Sequence, residues 1–486
     1  MNHDLELKGH PETKRGFAGA FFNDDNHVIG LLLLGWTCVA LLFGTVFNGL
    51  LTAHSLGGPW WEAQHMLRAV AYQRLVLAFF VLVPAVPSIL GHLMLPRRLG
   101  VANMALPTLS HGSLVTYVVG LVLVGGSLLP SADISGWTMS VTPVPAATLS
   151  LGLLGLGLSF AMLSWLLTGL NIVFTVHLRR RAGMHFGDMP VLVWTLYLSG
   201  IQLILAAIGI SIALLILAMF YTTGDAFFGP GSDPWRKLFA FLSSLVLLPA
   251  VGVMTDVISG LSRKDISAPR VVLGSLISLL SLAVITGGMM LFGHSRETGA
   301  VLIFTIIRLM AVIPLALITY SWLSTLHRGA VANTAATTWM LIFCLQAGLT
   351  GVMGLVLANP VLGVQLGGSM FASVQHDFLI WGVVVGGLMA GLHLWWPQVT
   401  GAEPGSTMAR RSACLYVIGL NLALIPRLSP ELAGAGQDLM FINAALTIPG
   451  IVSAVGWAMT LIALAISFGN LFAAKRSGPM SGSVTT

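Results

Sequence analysis

Charged side chains set deep within apolar segments are the groups of this 486-residue chain best placed to do chemistry. Arg308 and Asp377 each interrupt a long apolar run, and Gln375 and His376 stand beside the carboxylate. A charge at such depth costs about 2.5–3.5 kcal/mol even on lenient insertion scales, so these groups turn toward a bundle interior and find a partner there. The expectation is that Arg308 and Asp377 pair. With His376 they form either a buried polar site for a quinone, a proton or a small ligand, or a salt bridge that fixes helix register, with Gln375 completing its hydrogen bonds. The second reading needs fewer assumptions. His92 and His111 also lie in apolar runs, but their separation is not a metal-ligand spacing, and they read as hydrogen-bonded packing residues. Cys38, Cys344 and Cys414 sit in apolar runs without any CxxC, which argues against a disulfide framework or a thiolate metal site.

Composition identifies the elements that must position these groups. Hydrophobic residues make up 56% of the chain and charged residues 8%, with a mean hydropathy of +0.90. That excludes soluble, disordered and nucleic-acid-binding classes. Crossing about 30 Å of hydrocarbon takes roughly 20 apolar residues in a helix, which satisfies its own backbone. Twelve such runs fall near 29–51, 75–95, 107–129, 147–177, 190–221, 238–259, 271–292, 300–325, 337–358, 370–395, 412–428 and 440–471. The fold class is therefore all-α, a polytopic membrane bundle of about twelve helices. A polar segment over 1–28 precedes one transmembrane domain over 29–472, and 473–486 reads as a disordered tail.

Lys and Arg alternate between the loops. Arg97, Arg98, Arg179, Arg180, Arg181, Arg263, Lys264, Arg270, Arg328, Arg410 and Arg411 fall on one side, whereas the other holds Arg68, Arg74, Arg236, Lys237, Arg296 and Arg427. The positive-inside rule then puts both termini in the cytoplasm, in a bacterial inner membrane. Trp60, Trp61, Trp137 and Trp235 at one level, and Trp395 with Trp396 at the other, read as interfacial anchors. Glycines within runs, as in 151–158, read as points of close helix approach. The outer loop from Thr52 to Arg74 is aromatic and polar enough either to contact another subunit or to re-enter the interface.

Seven anchors in order carry a family resemblance. They are Phe79-Phe80-Val81-Leu82-Val83-Pro84-Ala85 with Ala102-Asn103-Met104-Ala105-Leu106-Pro107; Met189-Pro190-Val191-Leu192-Val193-Trp194; Pro249 with Val257-Ile258-Ser259; Ser321-Trp322 with Thr325-Leu326-His327; Gly348-Leu349-Thr350-Gly351; Trp396-Pro397 with Thr400-Gly401; and Ile418-Gly419-Leu420-Asn421-Leu422 with Pro426. Together, over residues 70–470, they resemble subunit I of the haem-copper oxidases. That resemblance implies a bundle holding two haems and a copper on six histidines, within a respiratory complex.

Carried over position by position, the resemblance places the ligands on other residues. They fall on Gln73, Ala240, Met289, Met290, Gln375 and Asp377. Amides are poor haem ligands, and thioethers can bind Cu(I), but adjacent methionines on a helix point about 100° apart and read as core or lipid contacts. A one-residue slip would leave His376 as the residual candidate ligand. His54, in Thr52-Ala53-His54, lies too far from Phe79 to be one. The family's proton groups align with Ile318, Asn103 and Leu242, and its propionate-binding arginines with Leu439-Met440.

The expectation is therefore a protein without haem or copper, acting as a non-catalytic structural or assembly subunit of a respiratory complex. Its partners would be the lipid bilayer and other subunits, with no nucleic acid. The alternative is an active terminal oxidase or nitric oxide reductase subunit with unusual ligation. A secondary transporter would need an inverted repeat with broken helices, and none is detected.

Overall fold

The computed structural model describes residues 25–55, 72–127, 148–223, 241–242, 245–292, 298–327, 329, 331–366, 369–428 and 448–474. Ala240, Leu439, Met440, Trp60, Trp61, Trp137, Trp235, most of the 52–74 loop, the segment before Asp25 and the tail lie outside them, as does the side chain of Met290.

The described residues form helices and no strands. They are α1 (Asn26–Ser55), α2 (Ala85–Leu93), α3 (Leu95–Leu99), α4 (Pro107–Gly126), α5 (Thr148–Leu178), α6 (Val191–Thr223), α7 (Leu247–Ser262), α8 (Pro269–Phe292), α9 (Thr298–Met310), α10 (Val312–His327), α11 (Ala335–Ala358), α12 (Pro360–Leu366), α13 (Met370–Asp377), α14 (Val385–Thr400), α15 (Ser406–Leu424) and α16 (Ile448–Phe472). Among the described residues, eleven helical stretches are long and apolar enough to cross a membrane, and α7 is a shorter apolar helix standing sixth in order. The all-α bundle expected from hydropathy is therefore observed, and the boundaries differ mainly where α7 begins later and the tenth span runs on to Thr400.

Two spans form the centre. The second, Tyr72–Leu93, and the tenth, Met370–Thr400, have 100% and 94% of their apolar windows buried inside the protein, against 22% for Thr305–His327 in the eighth. Each central span carries a π-helical segment, Ala78–Leu82 and Phe378–Val384, and the two segments touch. A π turn misaligns the backbone ladder and frees carbonyls, which need donors from elsewhere in an apolar interior. Neighbouring spans supply them. Trp165 Nε1–H on α5 donates to the Phe79 carbonyl at 3.1 Å, Tyr117 Oη–H on α4 to that of Phe80 at 2.6 Å, and Tyr416 Oη–H on α15 to that of Trp381. The same rings pack there, with Phe79 against Trp165 at 5.5 Å and Phe80 edge-on to Tyr117 at 5.3 Å.

Close helix pairs meet through glycine. A Cβ on Gly120 would stand 2.9 Å from the Gly157 carbonyl across α4 and α5, and one on Gly456 would stand 2.2 Å from the Ala423 backbone nitrogen across α15 and α16. Within 151–158 only part of the expectation holds: Gly157 makes such a contact, whereas Gly152 and Gly155 have nothing within 4 Å. Trp395 and Trp396 also depart from expectation, since at 2% and 4% exposure they are core residues of the central span instead of lipid-facing anchors. Both lie on one of the two enclosed central spans, where an aromatic ring fills space among neighbours before it can reach an interface.

Candidate functional site

The residue types expected to do chemistry gather where the starts of the second and tenth spans meet the end of the eleventh. Asp377 ends α13 immediately before the central π segment, and Ser373 lies one turn earlier. Arg427 sits in a 3₁₀ turn, Ile425–Leu428, that closes the eleventh span. Its Nη1–H donates to Asp377 Oδ2 at 2.6 Å, and Nη2 reaches the Met370 sulfur at 3.6 Å. The pair is largely shielded, with 22% and 13% of the two side chains exposed. Arg74, from the second span, donates to Ser373 Oγ at 2.9 Å and is close enough for Asp377 and Arg427 to act on it electrostatically.

The expected pairing of Arg308 with Asp377 is corrected by this geometry, because the carboxylate takes Arg427. The reason lies in the helix neighbours. Arg308 belongs to α9, which packs chiefly on α8, α10, α11 and α12, whereas α13 packs on the 3₁₀ turn that carries Arg427. Equal depth along two spans did not make them adjacent.

The remaining carried-over positions separate. Gln73 is 4% exposed on the second span. Gln375 turns toward the ninth span, its Nε2 lying 3.9 Å from where a Cβ on Gly354 would stand. His376 is on the same short helix as Asp377, electrostatically coupled to it and to Arg74. Met289 is half-buried near the end of α8. Leu242 and Ile318, where the resemblance places proton groups, are 0% and 1% exposed.

Arg74, Ser373 and Arg427 were missed by sequence reasoning. In the sequence Arg74 and Arg427 read only as loop charges. Their signal was scarcity: each is one of six cations on the side poor in basic residues, directly at a span end.

Comparisons with known proteins bear on all of this. The family model described as Cytochrome C and Quinol oxidase polypeptide I matches residues 28–434. The chain is 26% identical over 428 residues to quinol oxidase subunit 1 of Bacillus subtilis (strain 168), covering 83% of this chain and 64% of that protein. It is 28% identical over 328 residues to a probable cytochrome c oxidase subunit 1-alpha of Streptomyces coelicolor, covering 63% and 55%. It thus spans less than two thirds of the length of these relatives. A solved heme-copper terminal oxidase dimer has the same fold, with a TM-score of 0.73 at 14% identity over 92% of this chain and 84% of that one.

The expectation of a chain without cofactors is overturned by these matches. The matched relatives are named as quinol and cytochrome c oxidases and the solved neighbour as a heme-copper oxidase, so the family points to haem and copper. The described side chains at the carried-over positions nevertheless do not form the usual ligand set. Gln73 offers an amide, and Asp377 accepts from the Arg427 guanidinium.

Proposed function

Because the chain belongs to the cytochrome c and quinol oxidase polypeptide I family, we propose that it serves as the subunit I-type membrane component of a terminal oxidase complex in respiratory electron transport. The family match over residues 28–434 carries this reading. Quinol or a cytochrome c is the donor class that the relatives' names suggest, and oxygen is the acceptor of oxidases of this kind. Other subunits would complete the complex. The excess of arginines on one face supports an orientation with both termini in the cytoplasm, in a bacterial inner membrane.

Residues of this chain would contribute at two levels. The central π segments hold the second and tenth spans in register through Trp165, Tyr117 and Tyr416. At the outer end, Arg74, Arg427, Asp377 and Ser373 form a polar lid over the interior with both cations engaged.

One observation favours a second reading, a structural or assembly subunit that does not itself reduce oxygen. An amide occupies the second-span ligand position, and an ion pair engages the side chain at the tenth-span position. Purification of the intact complex, with a reduced-minus-oxidised visible spectrum, iron and copper quantified per chain, and oxygen uptake on quinol and on reduced cytochrome c, separates the two. A Soret difference band together with oxygen uptake supports the oxidase reading. Assembly of the complex with uptake that survives removal of this chain would sink it in favour of the second.

A further inference from the structure

Three adjacent arginines, Arg179, Arg180 and Arg181, follow the last residue of α5 at the arginine-rich face. The negative end of a helix dipole favours cations at such a position, but three together repel one another and call for an anion. The one carboxylate in the turn that leads on to α6 is Asp188, and it accepts from the His185 backbone N–H at 3.3 Å. None of the three guanidinium groups enters an ion pair among the described residues. Their neighbours across the face are engaged: Arg98 holds Asp256 at 2.7 Å, and Arg97 donates to the carbonyls of Gln398 and Val399.

The turn is built on aromatic rings. The Arg180 guanidinium carbon lies 3.7 Å from the centre of the Phe186 ring, and Phe186 stands 5.4 Å from His177, 6.0 Å from Trp194 and 6.3 Å from Tyr197. His177 Nε2 and Tyr197 Oη share a hydrogen bond at 3.0 Å. Stacking fixes the plane of a guanidinium and leaves its outward N–H groups free to bind. Rings with an apolar body and a polar tip suit the level of lipid headgroups. Beyond them, Tyr197, Ile201, Leu205 and Ile208 share one face of α6 by their helical spacing. The first two are partly exposed, and Leu205 and Ile208 are 44% and 50% exposed. At 1.5 Å per residue this strip runs about 16 Å, the depth of one leaflet's hydrocarbon.

We propose that this turn and strip hold one anionic phospholipid, its phosphodiester on the guanidinium groups of Arg179–Arg181 and an acyl chain along Tyr197, Ile201, Leu205 and Ile208. Guanidinium forks match phosphate oxygens two at a time, and basic groups beside a membrane span draw anionic headgroups. The lipid meets both needs of the site, since its phosphate supplies the missing negative charge and its chain covers the strip. Free phosphate would meet the first need alone, and a zwitterionic lipid the second. Arg410 and Arg411 on α15 are a contrast on the same face, because neither stands over an aromatic ring among the described residues. The proposal is independent of whether the complex reduces oxygen.

Native mass spectrometry of the full chain released from detergent, with phosphatidylglycerol, phosphatidylcholine or inorganic phosphate added, tests the proposal. The expected result is one phosphatidylglycerol per chain, retained about tenfold or more tightly than phosphatidylcholine. Arg180→Gln is expected to weaken that retention by about fivefold, and replacement of all three arginines by glutamine by tenfold or more. Phe186→Leu keeps every charge and is expected to weaken it by about threefold, because the guanidinium loses its ring. Where the triple variant does not fold, the two single variants carry the test. Arg410→Gln with Arg411→Gln is expected to change retention by less than about twofold. Equal retention of the two lipids, an equal loss from the Arg410 and Arg411 pair, or displacement of the lipid by inorganic phosphate overturns the site. Photocrosslinking from p-benzoylphenylalanine placed at Leu205 is expected to capture lipid, and capture of a protein chain in its place overturns the acyl track.

Discussion

Arg427 and Asp377 set the energetic stakes of single residues in this protein. Both side chains are mostly shielded, and truncating one partner leaves the other charge in a low-dielectric interior. Arg427→Leu is expected to lower stability by about 1–3 kcal/mol, below the 3–5 typical of fully buried pairs because part of each side chain reaches solvent. Adding Asp377→Asn should recover part of that loss, since the uncompensated carboxylate is then gone. A double-mutant cycle from thermal unfolding in detergent measures the coupling, and additive losses would remove the pair as an energetic unit. Arg308→Leu should show no comparable coupling to Asp377→Asn. Asp377 was legible in the sequence as a charge that needed a partner. The partner was not, because two spans at matching depth are neighbours only if the bundle packs them so.

Helices in this bundle are held by backbone proximity as much as by side-chain bulk. In lipid the hydrophobic effect gives no preference for helix–helix over helix–lipid contact, so close van der Waals approach and satisfied carbonyls have to supply it. Gly456→Ala is expected to cost about 1–3 kcal/mol, because its Cβ would fall 2.2 Å from the Ala423 nitrogen and rigid backbone cannot yield as a side chain can. Gly155→Ala, with nothing within 4 Å, should change stability by less than about 1 kcal/mol. Equal effects from the two, in matched thermal unfolding, would mean that α15 and α16 do not approach as described. The π segments belong to the same scale. Their freed carbonyls explain why Trp165, Tyr117 and Tyr416 are fully buried with their polar atoms aimed at backbone, a role that hydropathy alone reads as generic core.

Among the described residues, the eighth and ninth spans are the least enclosed, while the second and tenth are buried almost throughout. Leu323, 61% exposed on α10, would tolerate charge if it faced water. Facing lipid or a partner subunit, Leu323→Asp is expected to cost about 2.5–3.5 kcal/mol of insertion free energy. A glycosylation-based insertion assay on the eighth span reads this directly, and unchanged insertion would argue against a lipid-level position.

Twelve apolar runs in order, their all-α class and the resemblance to oxidase subunit I were legible in the residues alone, because spanning hydrocarbon forces long apolar helices and strips most charge from them. The same reading identified Asp377 and His376 as unusual, since an ionisable group in such a run has few innocent explanations. It erred on Trp395 and Trp396, on the partner of Asp377, and in taking substituted ligand positions to mean a chain without cofactors. Only the tertiary structure decided which faces of the spans meet and which carbonyls the π turns release. Those outcomes depend on packing between helices far apart in sequence, and hydropathy along a single helix carries no record of its neighbours.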